Sequence, residues 1–282
     1  MKLLRAVTRC KRLRGPAAAS AFVVALLSSS SAALAQLSSF AVLAGSTVTN
    51  TATPTMVIGN LGVSPGSAVT GFPPGTVTGG TIHAGDAAAA AAQGDLTTTY
   101  NNLAGMACNT NLTGQDLGGL TLTPGVYCFS TSAQLTGALT LDAQGDPNAV
   151  FVFQIGSTLT TASAASVLLI NGGSNCGVFW QVGSSATLGT GTALMGSIVA
   201  LTSITLNTGA SVGGRVLARN GAVTLDDNDV ALCTGGPNGG GGGPLILPFT
   251  AAVPTLSPWA LVVLAVLLPL SALAAIRRRA AD

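Results

Sequence analysis

The sequence predicts a mostly β protein, a triangular β-solenoid with one long α-helix packed alongside it. Five Thr-Leu pairs, Thr140-Leu141, Thr158-Leu159, Thr187-Leu188, Thr205-Leu206 and Thr224-Leu225, are separated by 18, 29, 18 and 19 residues. A period near 18 is three strands of about six residues each, one coil of a three-sided solenoid. The string Phe153-Gln154-Ile155-Gly156-Ser157 returns as Trp180-Gln181-Val182-Gly183-Ser184, offset by 27. Composition agrees: of 282 residues only 7% are charged and 4% aromatic, while 37 are Gly, which suits short strands stacked around a narrow core of Leu, Val and Ile. One stretch, residues 86–104, breaks the β pattern with helical spacing.

Residues 1–35 read as an export signal. Basic Lys2, Arg5, Arg9, Lys11, Arg12 and Arg14 precede an apolar run at 17–27, and small Ala33 and Ala35 suit a signal peptidase cutting before Gln36. That run of 11 residues is too short for a bilayer-spanning anchor. The body, 36–234, has 199 residues, ample for one core. Strands are expected at 150–155, 167–170, 178–182, 198–201 and 216–218, punctuated by Asn171-Gly172 and Asn220-Gly221 turns. The longest interval of the repeat holds Asn171 to Cys176, a turn-rich insertion on one edge.

For residues 86–104, Ala89, Ala92, Leu96, Tyr100 and Leu103 form the stripe that would pack on the solenoid, and Asp86 stands where an N-cap belongs. The helix would run for about five turns, weakened by Gly94 and three threonines. Four cysteines remain in the body, an even number that in an exported chain points to disulfides with three possible pairings. Cys108 with Cys128 and Cys176 with Cys233 is favoured, because each bond then staples a loop or an end to a nearby element. No close Cys pair or His cluster offers a metal site, and no cofactor is expected.

After the body comes a Gly/Pro-rich linker, 235–252, with five consecutive glycines before Pro244, the composition of a flexible spacer. Then follow Val253-Pro254-Thr255-Leu256-Ser257-Pro258-Trp259, an apolar segment at 259–276 long enough for a transmembrane helix, and Arg277, Arg278 and Arg279 as a positive-inside stop. This tail, 253–282, resembles the Pro-Thr-Leu type of C-terminal sorting signal on exported proteins of Gram-negative bacteria. Val253 replaces the usual Ile, and Ala260 stands where Gly often follows the Trp. The resemblance implies processing by a membrane-embedded, transpeptidase-like enzyme; a permanent single-span anchor is the alternative.

Charge excludes some functions. Between Gln36 and Leu270 there are two arginines, Arg215 and Arg219, against eight aspartates, so the segment has no basic footprint for nucleic acid. Solenoid enzymes that cleave polysaccharides need clustered carboxylates. Asp226-Asp227-Asn228-Asp229 is the only acidic cluster, and it reads as a solvated turn rather than a weak Ca²⁺ site. The single histidine, His83, has no nucleophile or acid partner in a motif and reads as structural. The chain is expected not to be an enzyme.

The string from Phe40 to Thr51, then Ile58 to Gly66, the helix, Leu122-Thr123-Pro124-Gly125-Val126-Tyr127, Asp146 to Gln154 and finally Arg215-Val216-Leu217-Ala218 resembles the microbial ice-binding proteins. The likeness covers essentially the whole body. It implies a right-handed discontinuous β-helix of triangular section with a long helix beside it, and ice as the partner. Thr supplies 30 of the 199 body residues, several in Thr-x-Thr alternation that puts hydroxyls and methyls on one face of a strand. Counting outward positions from the repeat gives Thr158 and Thr160, Thr187 and Gly189, Thr205 and Asn207, and Thr224 as ice contacts, with Thr190, Thr208 and Thr161 joining across a corner, and with Asp226 and Asp142 as interruptions. The alternative from another class is a structural or adhesive protein of the cell surface with the same fold and no ice activity.

Overall fold

The computed structural model describes residues 37–51 and 54–233. The expected export signal, the linker and the sorting tail with its apolar 259–276 segment lie outside the described residues. The chain divides into two compact units, Met1–Leu245 and Ile246–Asp282, and every described residue belongs to the first. Among the described residues no helix is long and apolar enough to cross a membrane.

The chain winds through short strands three to a coil, with Gly, Asn and Asp at the corners. The first coil is β1 (Phe40–Ala44), β2 (Thr47–Asn50) and β3 (Met56–Ile58); the next is β4 (Asn60–Val63), β5 (Ala68–Thr70) and β6 (Thr76–Thr78), followed by β7 (Ile82–Ala84). Helix α1 (Ala87–Ala104) interrupts the winding. It resumes with β8 (Thr110–Asn111) and β9 (Thr121–Leu122), then β10 (Gly125–Phe129), β11 (Ala133–Leu135) and β12 (Ala138–Asp142). The later coils are β13 (Phe151–Ile155), β14 (Leu159–Thr161) and β15 (Ser166–Ile170); β16 (Val178–Val182), β17 (Ala186–Leu188) and β18 (Ala193–Met195); β19 (Ser197–Ala200), β20 (Ile204–Leu206) and β21 (Ser211–Gly213); and β22 (Val216–Ala218), β23 (Val223–Leu225) and β24 (Asp229–Ala231). The five strands expected from sequence all appear, with ends shifted by a residue at most.

Stacking does not follow chain order. The three parallel sheets run β7-β4-β1-β22-β19-β16-β13-β10-β8, β11-β14-β17-β20-β23-β2-β5, and β6-β3-β24-β21-β18-β15-β12-β9. In each the first coil sits on the last, through Val42 with Val216, Val48 with Val223 and Val57 with Val230. This seam is the discontinuity of the solenoid. The helix carries the chain most of the way along the stack: 18 residues at 1.5 Å rise reach ~27 Å, close to the ~29 Å that the six strand steps from β7 to β13 require at about 4.8 Å each, and the segment after the helix leads on to β8 at the far end.

Two cores result. Inside the triangle, alternate side chains form ladders, and one ladder of the first sheet runs Tyr127, Phe153, Trp180, Ile198, Val216, Val42, Leu61. Phe153 stacks on Trp180 with ring centroids 4.0 Å apart, and Trp180 Nε1 donates to the Met195 carbonyl at 2.9 Å. Outside that sheet a second core is closed by the helix through Ala89, Ala92, Leu96, Thr99 and Leu103, against strands such as β1 and β16 that are buried on both faces. Tyr100, expected in the stripe, is instead half-buried beneath Arg219, whose guanidinium lies 5.0 Å from the ring. Asp86 is the N-cap, its Oδ1 accepting from Ala89 N–H at 2.9 Å. Both expected disulfides are present, Cys108–Cys128 and Cys176–Cys233.

Candidate functional site

The helix takes the first sheet out of contact with solvent over most of its length, which leaves two faces. In five of the seven strands of the second sheet the first and third residues are buried and the middle one turns outward, as in Ala186–Leu188, Ile204–Leu206 and Val223–Leu225; in β2 and β5 it is Thr49 and Thr70, the third residues, that take the outward place. The period of two decides this: Ala, Ile, Val and Leu fill the triangle, so the Thr between them has only solvent to face. Register then lines these residues up in one column, Gln134, Thr160, Thr187, Thr205, Thr224, Thr49 and Thr70. Six of the seven are threonines. At about 4.8 Å per strand the six span ~24 Å.

The alignment of Thr-Leu pairs in the sequence is correct for Thr187, Thr205 and Thr224 and misplaced for the other two. Thr140 lies on the third sheet, paired with Thr121 and Leu168. Thr158 stands two residues out of register: Leu159 is opposite Ala186, and it is Thr160 that meets Thr187. Thr158 belongs to a flanking row with Ser132, Ser185 and Ser203, and its hydroxyl donates to Ser132 Oγ at 2.8 Å. Asp142 is likewise on β12 of the third sheet and does not interrupt this face. Its carboxyl is held below the usual range by the Asn171 side chain and the Gln144 N–H.

Corner residues divide. Thr190 and Thr208 are exposed where the second sheet turns toward the third, stacked through Gly191 N–H to the Thr208 carbonyl at 3.0 Å, and Asn207 is half-buried beside them. Thr161 does not join them. It is 4% exposed and points inward, bonding Thr192 Oγ1 at 2.7 Å and accepting from Gly189 N–H at 2.9 Å. Gly189, outward by the count along the repeat, is buried at that corner, and a Cβ on it would lie 2.6 Å from the Ala162 carbonyl carbon, so the turn tolerates no side chain there.

Thr49 and Thr70 are the members of the column that the sequence repeat misses. Thr47, Thr49 and Thr51 stand out in the sequence as an alternating run, but their place in the column depends on the seam, which joins residues 175 apart at Thr49 and Thr224. The third face is different in kind. Met56, Ile58, Leu168, Ile170 and Met195, five of the six exposed large apolar side chains among the described residues, lie there. His83 is held by Thr81 Oγ1 at 3.0 Å and Asp86 Oδ2 at 2.7 Å, and its ring lies 5.2 Å from Phe40 at the entrance to the helix.

The triangular solenoid with its bracing helix agrees with the comparisons. The chain matches the Ice-binding-like family over residues 42–231 and the IPTL-CTERM motif over residues 251–280. An ice-binding protein from Nostoc sp. (strain HG1) is 63% identical over 199 residues, which is 70% of this chain and 73% of that protein. Ice-binding protein 1 from Shewanella frigidimarina (strain NCIMB 400) is 36% identical over 70% of this chain, which spans only 25% of that relative. Among solved structures, an ice-binding protein from an Antarctic biological consortium aligns with a TM-score of 0.68 at 48% identity, covering 71% of this chain and 90% of that one. The chain belongs to the ice-binding-like family.

Proposed function

We propose that the chain is an ice-binding protein that adsorbs to ice through its second sheet. One observation carries this: the unbroken column of Thr160, Thr187, Thr205, Thr224, Thr49 and Thr70 on a sheet that no other element covers among the described residues. A strand repeat of about 4.8 Å lies close to an oxygen repeat of ice, so many weak contacts can match at once. Hydrogen-bonded coils hold the hydroxyls in place before contact, and little conformational entropy is lost on binding. Methyl groups beside the hydroxyls order the water that merges with the crystal. Thr158, Thr190, Asn207 and Thr208 widen the face on either side of the column.

The body at 36–234 acts by adsorption and not by catalysis, after export directed by residues 1–35. The spacer at 235–252 holds it away from the membrane, and the tail at 253–282 is read there by a processing enzyme; the IPTL-CTERM match supports that route. The protein works at the cell surface or outside the cell, inhibiting recrystallisation or holding cells to ice. Recrystallisation assays on residues 36–234 test the reading, since unchanged crystal growth at high protein concentration would leave the surface structural or adhesive role. Replacing Thr187 and Thr205 together with Tyr should abolish activity while the fold persists. Retained activity in that variant would move the contact to another face.

A further inference from the structure

We propose that Asp226 is a positioning residue of the ice-binding face, an inference that rests on the ice-binding reading above. From sequence this acid is an interruption, a charge that would keep its own hydration shell. Its surroundings give it another role. Oδ1 accepts the Thr51 hydroxyl at 2.5 Å, and Oδ2 accepts the Thr208 hydroxyl. Thr208, Asp226 and Thr51 follow the ends of β20, β23 and β2, three successive strands of the second sheet, so the carboxylate bridges the seam between last and first coils.

The corner is fixed from below. The Asp226 N–H donates to Asn228 Oδ1 at 2.6 Å, and the Asn228 amide, 1% exposed, donates to the carbonyls of Asn207 at 2.9 Å and Ala210 at 3.0 Å. The Asn228 N–H reaches Thr55 Oγ1, and the Thr51 N–H reaches the Leu225 carbonyl. A threonine hydroxyl on an open surface rotates to suit each passing water. Here the protons of two such hydroxyls are committed to one carboxylate. Both rotors are thereby set, and the oxygen lone pairs are offered outward as fixed acceptors beside the column. The carboxylate, with both oxygens engaged, has less need of a mobile hydration shell.

The test compares the full-length chain with Asp226→Ala, Asp226→Asn, Thr208→Val and the double variant Asp226→Ala/Thr208→Val, each checked for an unchanged circular dichroism spectrum near 0 °C. The lowest concentration that stops recrystallisation should rise by roughly tenfold for Asp226→Ala, the equivalent of ~1.4 kcal/mol of adsorption per site. Asp226→Asn, whose one oxygen can orient one hydroxyl, should fall between. Thr208→Val should weaken the wild-type chain and add nothing in the Asp226→Ala background, a non-additivity that a purely structural role would not produce. Activity that is unchanged or raised in folded Asp226→Ala, or additive losses in the double variant, would overturn the proposal. Inactivity of the wild-type chain would instead sink the ice-binding reading itself.

Discussion

Thr160 and Thr161 are neighbours in the chain and have opposite surroundings. Thr160 is exposed in the column; Thr161 is buried, and its hydroxyl holds Gly189 N–H and the Thr192 hydroxyl. Removing a buried acceptor strands its donor, which costs about 1–3 kcal/mol. Thr161→Val should therefore lower the denaturation midpoint and leave adsorption by the folded protein intact, whereas Thr160→Tyr should do the reverse; paired urea melts and recrystallisation assays read both. Alternation was visible in the sequence here, but the side each residue takes was not. It follows from Leu159, opposite Ala186, entering the triangle. A local Thr-Leu match cannot see that register across a turn-rich insertion, so it sets Thr158 opposite Thr187, two residues from Thr160, the true partner.

Helix α1 was legible because its signals are local: an N-cap acid, an Ala/Leu stripe, a run of alanines. Asp86 is held below the usual carboxylate range, first by the Ala89 N–H and then by His83. A carboxyl whose folded pKa is depressed contributes stability that is present above its ordinary pKa and lost as pH falls through the folded one. Acid titration followed by circular dichroism should show this loss in the wild type and not in Asp86→Ala. Asp86→Asn should retain the cap without the charge. Asp95 is shifted the other way, its carboxyl pushed up by partial burial against the solenoid, with Oδ2 lacking a hydrogen-bond partner. Asp95→Asn should raise the thermal midpoint, because it removes an ionised form that the site disfavours.

At the scale of the whole molecule the repeat announced coils but not how they stack. The seam pairs residues such as Val42 and Val216 that share no local pattern, and no periodicity encodes a pairing over that distance. Its locks are also remote in sequence. Arg215, 0% exposed, donates to the Ser38 carbonyl at 2.9 Å and toward Cys233 Sγ at 3.4 Å, and Cys233 is tied to Cys176. Burial lowers the guanidinium to about 10, which still leaves it charged at neutral pH. The two disulfides close loops with sequence separations of 57 and 20, so chain entropy assigns the Cys176–Cys233 bond about 4 kcal/mol and the Cys108–Cys128 bond about 3. Alanine pairs at each bond, compared by urea melts, should rank in that order.

Because β1, β2 and β3 rest against β22, β23 and β24, one side of the earliest coil waits for the latest. A chain made from its N-terminus holds those first strands with an unfilled edge until residues 216–231 have been added. Long-range pairing of this kind slows folding. It also acts as a check on completeness: a product that stops short of β23 joins neither Thr49 nor Thr70 to Thr224, and so cannot present the full row to a crystal.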